Sequence, residues 1–156
     1  MIKRFLMSII SALFISNCTA PTPTKLVVFI VSDQESPSVL EKYDHLFTGG
    51  FRWLIDNGIV YNNTHHNHGN TSTAPGHFAL STGVYPGNGG IVFNEWYDRR
   101  LKRSYYSVED TTATNLSGKE KIGRSYRYIQ HSNLADWMNR SNANAKVVSL
   151  SGKDRS

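Results

Sequence analysis

From residue 25 onward the chain alternates between short apolar runs and stretches with helical spacing. Leu26-Val27-Val28-Phe29-Ile30-Val31 is continuous and rich in β-branched residues, with no polar position left to face solvent. Such a short, unalternating run predicts a strand buried on both faces, as in a parallel sheet. Ser36 to Phe47 places Val39, Leu40, Tyr43, Leu46 and Phe47 at helical spacing, with Pro37 in the first turn, and predicts a helix. A second short helix is expected through Phe51-Arg52-Trp53-Leu54-Ile55, ending near Asn57-Gly58, after which Ile59-Val60-Tyr61 begins another strand. His77 to Ser81 reads as helical, Ile91 to Tyr97 as extended, and Asn133 to Arg140 as a helix behind a Ser132 cap. Lys146 to Leu150 is a last strand, and the polar, glycine-containing segment from Asp110 to Arg127 reads as an exposed excursion.

Strands alternating with helices define an α/β domain with a mostly parallel sheet. Ligands in such sheets bind beyond the carboxyl ends of the strands. Asp33 lies just past the first predicted strand, and Lys153 to Arg155 lie just past the last. The pattern therefore brings two polar constellations to one edge of the sheet.

The 156 residues are enough for one domain, but the first 20 stand apart from it. Lys3 and Arg4 precede a largely apolar run from Phe5 to Ile15, then small and polar residues to Ala20, and then Pro21-Thr22-Pro23-Thr24 as a stiff linker. That order is the one found in secretory signals, and the apolar run falls short of the roughly 20 residues that span a bilayer. The expected organisation is a signal at 1–20, a linker at 21–24 and a catalytic domain from 25 to 156. The destination is the periplasm or, through lipidation of Cys18, the outer membrane; cleavage after Ala20 would remove that cysteine instead. Cys18 is the only cysteine, so no internal disulfide forms. Loss of the signal takes Lys3 and Arg4 and no acid, lowering the net charge from +5 to +3. This mild balance suits a small anionic substrate, and no Lys/Arg-dense, aromatic-interleaved stretch points to nucleic acid. Arg99-Arg100-Leu101-Lys102-Arg103 reads as a solvated turn.

Three positions carry candidate chemistry. Asp33 at a strand end is placed to hold a cation, or else to serve as a helix cap or turn. Thr73, in Thr71-Ser72-Thr73-Ala74-Pro75-Gly76-His77, falls at a helix start, where unpaired N–H groups and the helix dipole favour an anion. An ordinary threonine cap is the alternative. Lys153-Asp154-Arg155 offers two cations for phosphate oxygens, or a charged turn. In His65-His66-Asn67-His68, only His66 and His68 fall on one side of an extended segment, and these histidines read as partly exposed loop residues.

Five segments occur in a telling order: Lys25 to Gln34, Thr71 to His77, Ser81-Thr82-Gly83-Val84-Tyr85-Pro86, Asn94-Glu95-Trp96-Tyr97-Asp98-Arg99 and Ser151 to Ser156. Together they resemble the PafA-type bacterial alkaline phosphatases of the type I phosphodiesterase/nucleotide pyrophosphatase group. The resemblance implies the N-terminal part of an alkaline-phosphatase-like parallel-sheet sandwich. It implies Asp33 as a zinc ligand, and Thr73 as the nucleophile that forms a phospho-enzyme and touches zinc. It also implies Asn94, Lys153 and Arg155 as contacts to phosphate oxygens. The Lys/Arg pair favours phosphate monoesters; phosphodiester or pyrophosphate hydrolysis, sulfatase activity and a non-catalytic phosphate-binding remnant are the alternatives. Two departures flank Asn94: Gly89 stands where members often carry histidine, and Phe93 where they often carry glycine. The family draws its other ligands for two zinc ions from segments downstream of the Lys-Asp-Arg turn, so the chain is expected to be truncated and inactive alone.

Overall fold

A computed structural model of the chain describes residues 24–116 and 122–156, and the segment read as an export signal lies outside these. The chain divides into two units between Val31 and Ser32. In the first, residues 24–31 form neither helix nor strand, and Leu26 is 77% exposed. The strand expected at Leu26–Val31 is therefore not observed. A parallel strand takes its hydrogen bonds from neighbouring strands, and none pairs with it among the described residues.

The second unit begins with α1 (Pro37–Tyr43), which tightens into a 3-10 turn at Asp44–Leu46, and α2 (Gly50–Asn57). Pro37 opens α1, where its missing N–H costs nothing. Arg52 of α2 reaches Asp44 at 2.9 Å and Asp56 at 2.7 Å, linking the two helices. Next come α3 (Thr73–Thr82) and the single turn α4 (Pro86–Gly89). α3 ends at Gly83, whose φ of +67° is the left-handed cap a glycine adopts without strain.

Strands β1 (Glu95–Asp98) and β2 (Arg103–Tyr106) form an antiparallel hairpin, with Glu95 opposite Tyr106 and Asp98 opposite Arg103. Its turn is closed by Asp98 Oδ1, which accepts the N–H groups of Arg100 at 2.8 Å and Leu101 at 2.9 Å. The basic cluster is thus a turn, as its composition suggests. β3 (Glu109–Asp110) pairs antiparallel with β4 (Gly123–Arg124).

Most described residues from Thr111 to Arg127 are exposed, as expected of an excursion, but this second pair anchors its two ends at buried Asp110 and Gly123. Asp110 is 7% exposed and accepts hydrogen bonds from Ser125 Oγ and Thr112 Oγ1 at 2.6 Å each, and from Arg127 at 3.0 Å. Part of the polar composition here serves a network around one buried carboxylate. Among the described residues both sheets are two-stranded and antiparallel, so the fold is a mix of helices and small sheets. Ile59–Tyr61 and Lys146–Leu150 are not strands either, and Ile59 and Leu150 are 81% and 91% exposed.

The core gathers Ala74 and Phe78 of α3 with Ile91, and Val84, Tyr128 and Ile129 pack against it. Gly89 and Gly90 make the close approach feasible. A β-carbon on Gly89 would fall 1.9 Å from Phe78 Cζ, and one on Gly90 would fall 2.2 Å from the Tyr128 carbonyl oxygen. α5 (Leu134–Ser141) closes the order with a capping box. Asn133 Oδ1 accepts from the N–H of Ala135 at 2.9 Å, and Asp136 Oδ2 accepts the Asn133 N–H at 2.9 Å. The cap is Asn133 and not Ser132, whose hydroxyl instead accepts Trp137 Nε1 at 2.9 Å.

Candidate functional site

The site grows from the amino end of α3. Asn70 Oδ1 accepts the Ser72 N–H at 2.9 Å and the Ser72 hydroxyl at 2.6 Å, and this local turn sets the entry of the helix. Pro75 is fully buried in the first turn, where no intrahelical N–H is needed. Thr73, the first helical residue, is 6% exposed. The next N–H, of Ala74, donates to Asn94 Oδ1 at 2.8 Å. One of the helix's orphan donors is thereby satisfied by a side chain 20 positions away. Asn94 is fixed in turn by the hairpin, since the Ser107 N–H donates to the Asn94 carbonyl at 2.9 Å and carries the β1–β2 ladder one step further. His77 Nδ1 lies 2.8 Å from the Thr73 carbonyl, a contact that places the proton on Nδ1.

Thr73 Oγ1 donates to Asp33 Oδ2 at 3.1 Å. Asp33 sits in a turn whose next residue, Gln34, has φ +63°, a left-handed conformation uncommon for a residue with a side chain. The Lys153 ammonium meets the same Oδ2 at 2.5 Å, across 120 residues of sequence. Lys153 holds the Asp33 carboxyl below the usual range; the Thr73 hydroxyl helps, and partial burial opposes both. Asp33 and Lys153, which the edge-of-sheet argument named, therefore meet, although the strands expected before them are not observed among the described residues.

Arg155 does not join this carboxylate. Its Nη1 donates to Tyr106 Oη at 2.6 Å. Tyr106 Oη donates to Asp154 Oδ1 at 2.5 Å, and Arg124 Nε donates to Asp154 Oδ2 at 2.6 Å. The Tyr106 contact, more than the nearby Asp154 and Asp33 charges, raises the Arg155 pKa further above its already high value. Of the five residues expected from the sequence, Asp33, Thr73 and Lys153 therefore meet directly. Asn94 joins through Ala74, and Arg155 stands beside them on a separate support. Tyr106 and Arg124 were missed because they stand in no motif, and Asp154 because it read as the gap between two cations.

Asp33 Oδ2 and Thr73 Oγ1 are spaced like two neighbouring oxygens in one cation's shell, and a carboxylate with a hydroxyl suits a hard or borderline metal. They fit part of such a shell and do not complete one. Among the described residues no group of three or more His, Cys, Asp and Glu side chains is gathered to hold a metal. His66 and His68 do stand edge to face, with ring centres 5.1 Å apart, while His65 Nε2 lies 2.8 Å from Asn63 Oδ1.

A buried hydroxyl at a helix start thus stands beside a carboxylate that carries a lysine ammonium. Comparison with known proteins gives the class. The family model described as type I phosphodiesterase / nucleotide pyrophosphatase matches residues 27–152, and the chain belongs to that family. Among curated proteins it is 37% identical over 144 residues to the alkaline phosphatase PhoD of Zymomonas mobilis, covering 90% of this chain and 25% of that protein. It is 35% identical to the alkaline phosphatase PhoK of a Sphingomonas species over 87% of this chain, and 35% identical to PafA of Elizabethkingia meningoseptica over 86%. The chain spans about a quarter of the length of these relatives. No solved structure matches it.

Proposed function

We propose that the protein to which this chain belongs is a phosphoric ester hydrolase that cleaves phosphate monoesters through a phospho-threonine at Thr73. The observation that carries this reading is the buried Thr73 hydroxyl at the amino end of α3, 3.1 Å from the Asp33 carboxylate. The N-terminal N–H groups and dipole of α3 favour both an alkoxide and a phosphate there. Asp33 is not the base. With its pKa lowered chiefly by Lys153 it stays ionised and takes up a proton poorly.

The helix end supplies about 0.3–2 kcal/mol to a negative charge. Bringing an oxygen acid from a pKa of about 15.7 to about 7 takes roughly 12 kcal/mol. Asp33 and Thr73 would hold part of a zinc shell, and zinc bound there would supply that difference; two ions are expected. Thr73 Oγ1 then bonds to phosphorus as the ester oxygen departs with its alcohol, and water releases inorganic phosphate from the phospho-threonine. The Asn94 amide N–H groups, Lys153 and Arg155 would hold the non-bridging oxygens.

Monoesters are favoured because two cations, Lys153 and Arg155, border the site, and a dianion has more charge to neutralise than a diester. The family's own description keeps phosphodiester or pyrophosphate hydrolysis as the second reading, separable by comparing rates on matched mono- and diesters. The decisive experiment is Thr73→Ala in the full-length protein. Hydrolysis of an aryl phosphate should fall by roughly three orders of magnitude or more, and acid-quenched enzyme should carry phosphate on Thr73 only. Retained turnover, or phosphate on another residue, would end the proposal. Stripping divalent ions should abolish turnover, and zinc should restore it. Export belongs to the same reading, through residues 1–20; the mass of the mature chain tests it, and retention of Met1 refutes it. Among the described residues no helix is long and apolar enough to cross a membrane.

A further inference from the structure

The hairpin that fixes Asn94 also presents Tyr106 at the end of β2, opposite Glu95. We propose that Tyr106 is a positioning residue that holds the Arg155 guanidinium in place for the phosphate while leaving its charge unspent. The inference rests on the phosphate-ester reading above and assigns a specific support to one of its anion contacts.

Four side chains form one line: Arg124 donates to Asp154, Tyr106 donates to the other Asp154 oxygen, and Arg155 donates to the Tyr106 oxygen. The charges along it are unevenly shared. Arg124 lies on Asp154 at 2.6 Å, whereas Arg155 is 4.0 Å from that carboxylate, beyond hydrogen-bonding distance. Asp154 is therefore matched by Arg124, and the group that touches Arg155 is a phenol. Burial first, and the Asp154 carboxylate second, push the Tyr106 pKa up, so this phenol stays neutral. With its proton committed to Asp154, the phenol oxygen turns a lone pair to Arg155 Nη1. The guanidinium carbon also lies 5.6 Å from the centre of the Tyr106 ring, within cation–π range.

A carboxylate in the place of this phenol would orient the arginine equally well but would neutralise it. A neutral acceptor fixes the rotamer and preserves the full positive charge for an anion. Arg155 also has a donor left over, since its Nε is buried without a hydrogen-bond partner. A buried donor without an acceptor is costly, and a phosphate oxygen is the acceptor this geometry calls for.

The test uses the full-length protein, an aryl phosphate as substrate and inorganic phosphate as competitive inhibitor. Tyr106→Phe removes one oxygen, and it should weaken phosphate inhibition and lower kcat/KM by about tenfold, the scale of a hydrogen bond to a charged group. Arg155→Ala should lose more. Adding Tyr106→Phe to Arg155→Ala should cost less than about twofold further, because the interaction is already gone. Arg155→Lys keeps the charge without the planar fork, so it should bind phosphate poorly and be equally insensitive to Tyr106→Phe. If Tyr106→Phe folds badly by thermal unfolding, its inhibition constant for phosphate, which does not depend on the folded fraction, decides the matter. A Tyr106→Phe enzyme with unchanged phosphate affinity, or a double variant losing the full product of the single effects, overturns the positioning role. Arg155→Ala with full activity and phosphate affinity would instead sink the underlying reading of the site.

Discussion

Gly89 stands where the resemblance leads to the expectation of histidine, and the Phe78 ring leaves no room there for a side chain. The Phe78 ring, 3% exposed, fills the space a side chain at 89 would need, with Cζ only 1.9 Å from the β-carbon site. Gly89→Ala should therefore destabilise the fold by about 1–3 kcal/mol through overpacking, read as a lower denaturant midpoint. Adding Phe78→Leu should return part of that loss, and a Gly89→Ala protein as stable as the parent would show that the ring moves aside freely. The other departure, Phe93, does not disturb its neighbour: Phe93 is exposed while Asn94 still accepts the Ala74 N–H. Asn94 then has two separable duties, as helix cap and as proposed anion contact. Asn94→Ala strips both, leaving a helix-end donor unpaired at a cost of about 1–3 kcal/mol. Asn94→Asp keeps the acceptor and adds about 0.3–1 kcal/mol from the helix dipole, yet sets a negative charge beside the phosphate. It should hold or raise the melting temperature while activity falls, and parallel changes in both readouts would contradict the division of labour.

At the level of elements, helices were legible and the small sheets only in part: β1 overlaps the extended stretch expected at Ile91 to Tyr97, but its hairpin partner and the second pair were not expected. Pro75 and Gly83 mark the two ends of α3 as physical chemistry requires, one free of an N–H and the other free of a β-carbon. The hairpin lacks the usual Asn-Gly or Asp-Gly signal. Its turn is shaped by the Asp98 carboxylate and by Lys102 at φ +50°, neither of which stands out in the sequence. β3 and β4 were hidden for a different reason, since their stability comes from Asp110 and its hydrogen-bonding partners and not from apolar alternation. The Ser125 hydroxyl first, then Thr112, hold the Asp110 carboxyl far below the ordinary carboxylate range, with Arg127 adding to them. A pKa depressed on folding gives stability that is complete above the unfolded value of about 3.9 and is lost as pH falls below it. Asp110→Asn should accordingly lower stability at pH 7 and flatten its decline between about pH 4 and pH 2. Urea midpoints for parent and variant across that range measure it, and equal slopes would remove Asp110 as the cause.

For the whole chain, the sequence held more information about which residues meet than about the sheet that was to bring them together. Asp33 and Lys153 were paired by a rule about strand ends, and they do pair, across 120 positions. Yet Leu26–Ile30, Ile59–Tyr61 and Val147–Leu150 stay uncovered. An apolar run declares that it must be buried but does not carry the neighbour that buries it. Exposed apolar runs of this kind drive association or dye binding. The 156-residue chain, prepared by itself, should bind a hydrophobic dye strongly and associate as its concentration rises. Val28 and Val148, 67% and 78% exposed, are convenient handles because neither belongs to the Ala74–Phe78–Ile91 core. Val28→Lys with Val148→Lys should reduce both dye fluorescence and the associated fraction in sedimentation, and should leave the thermal unfolding of that core unchanged. A chain that sediments as a monomer and leaves the dye dark would mean these runs are covered in solution by some arrangement other than the one described.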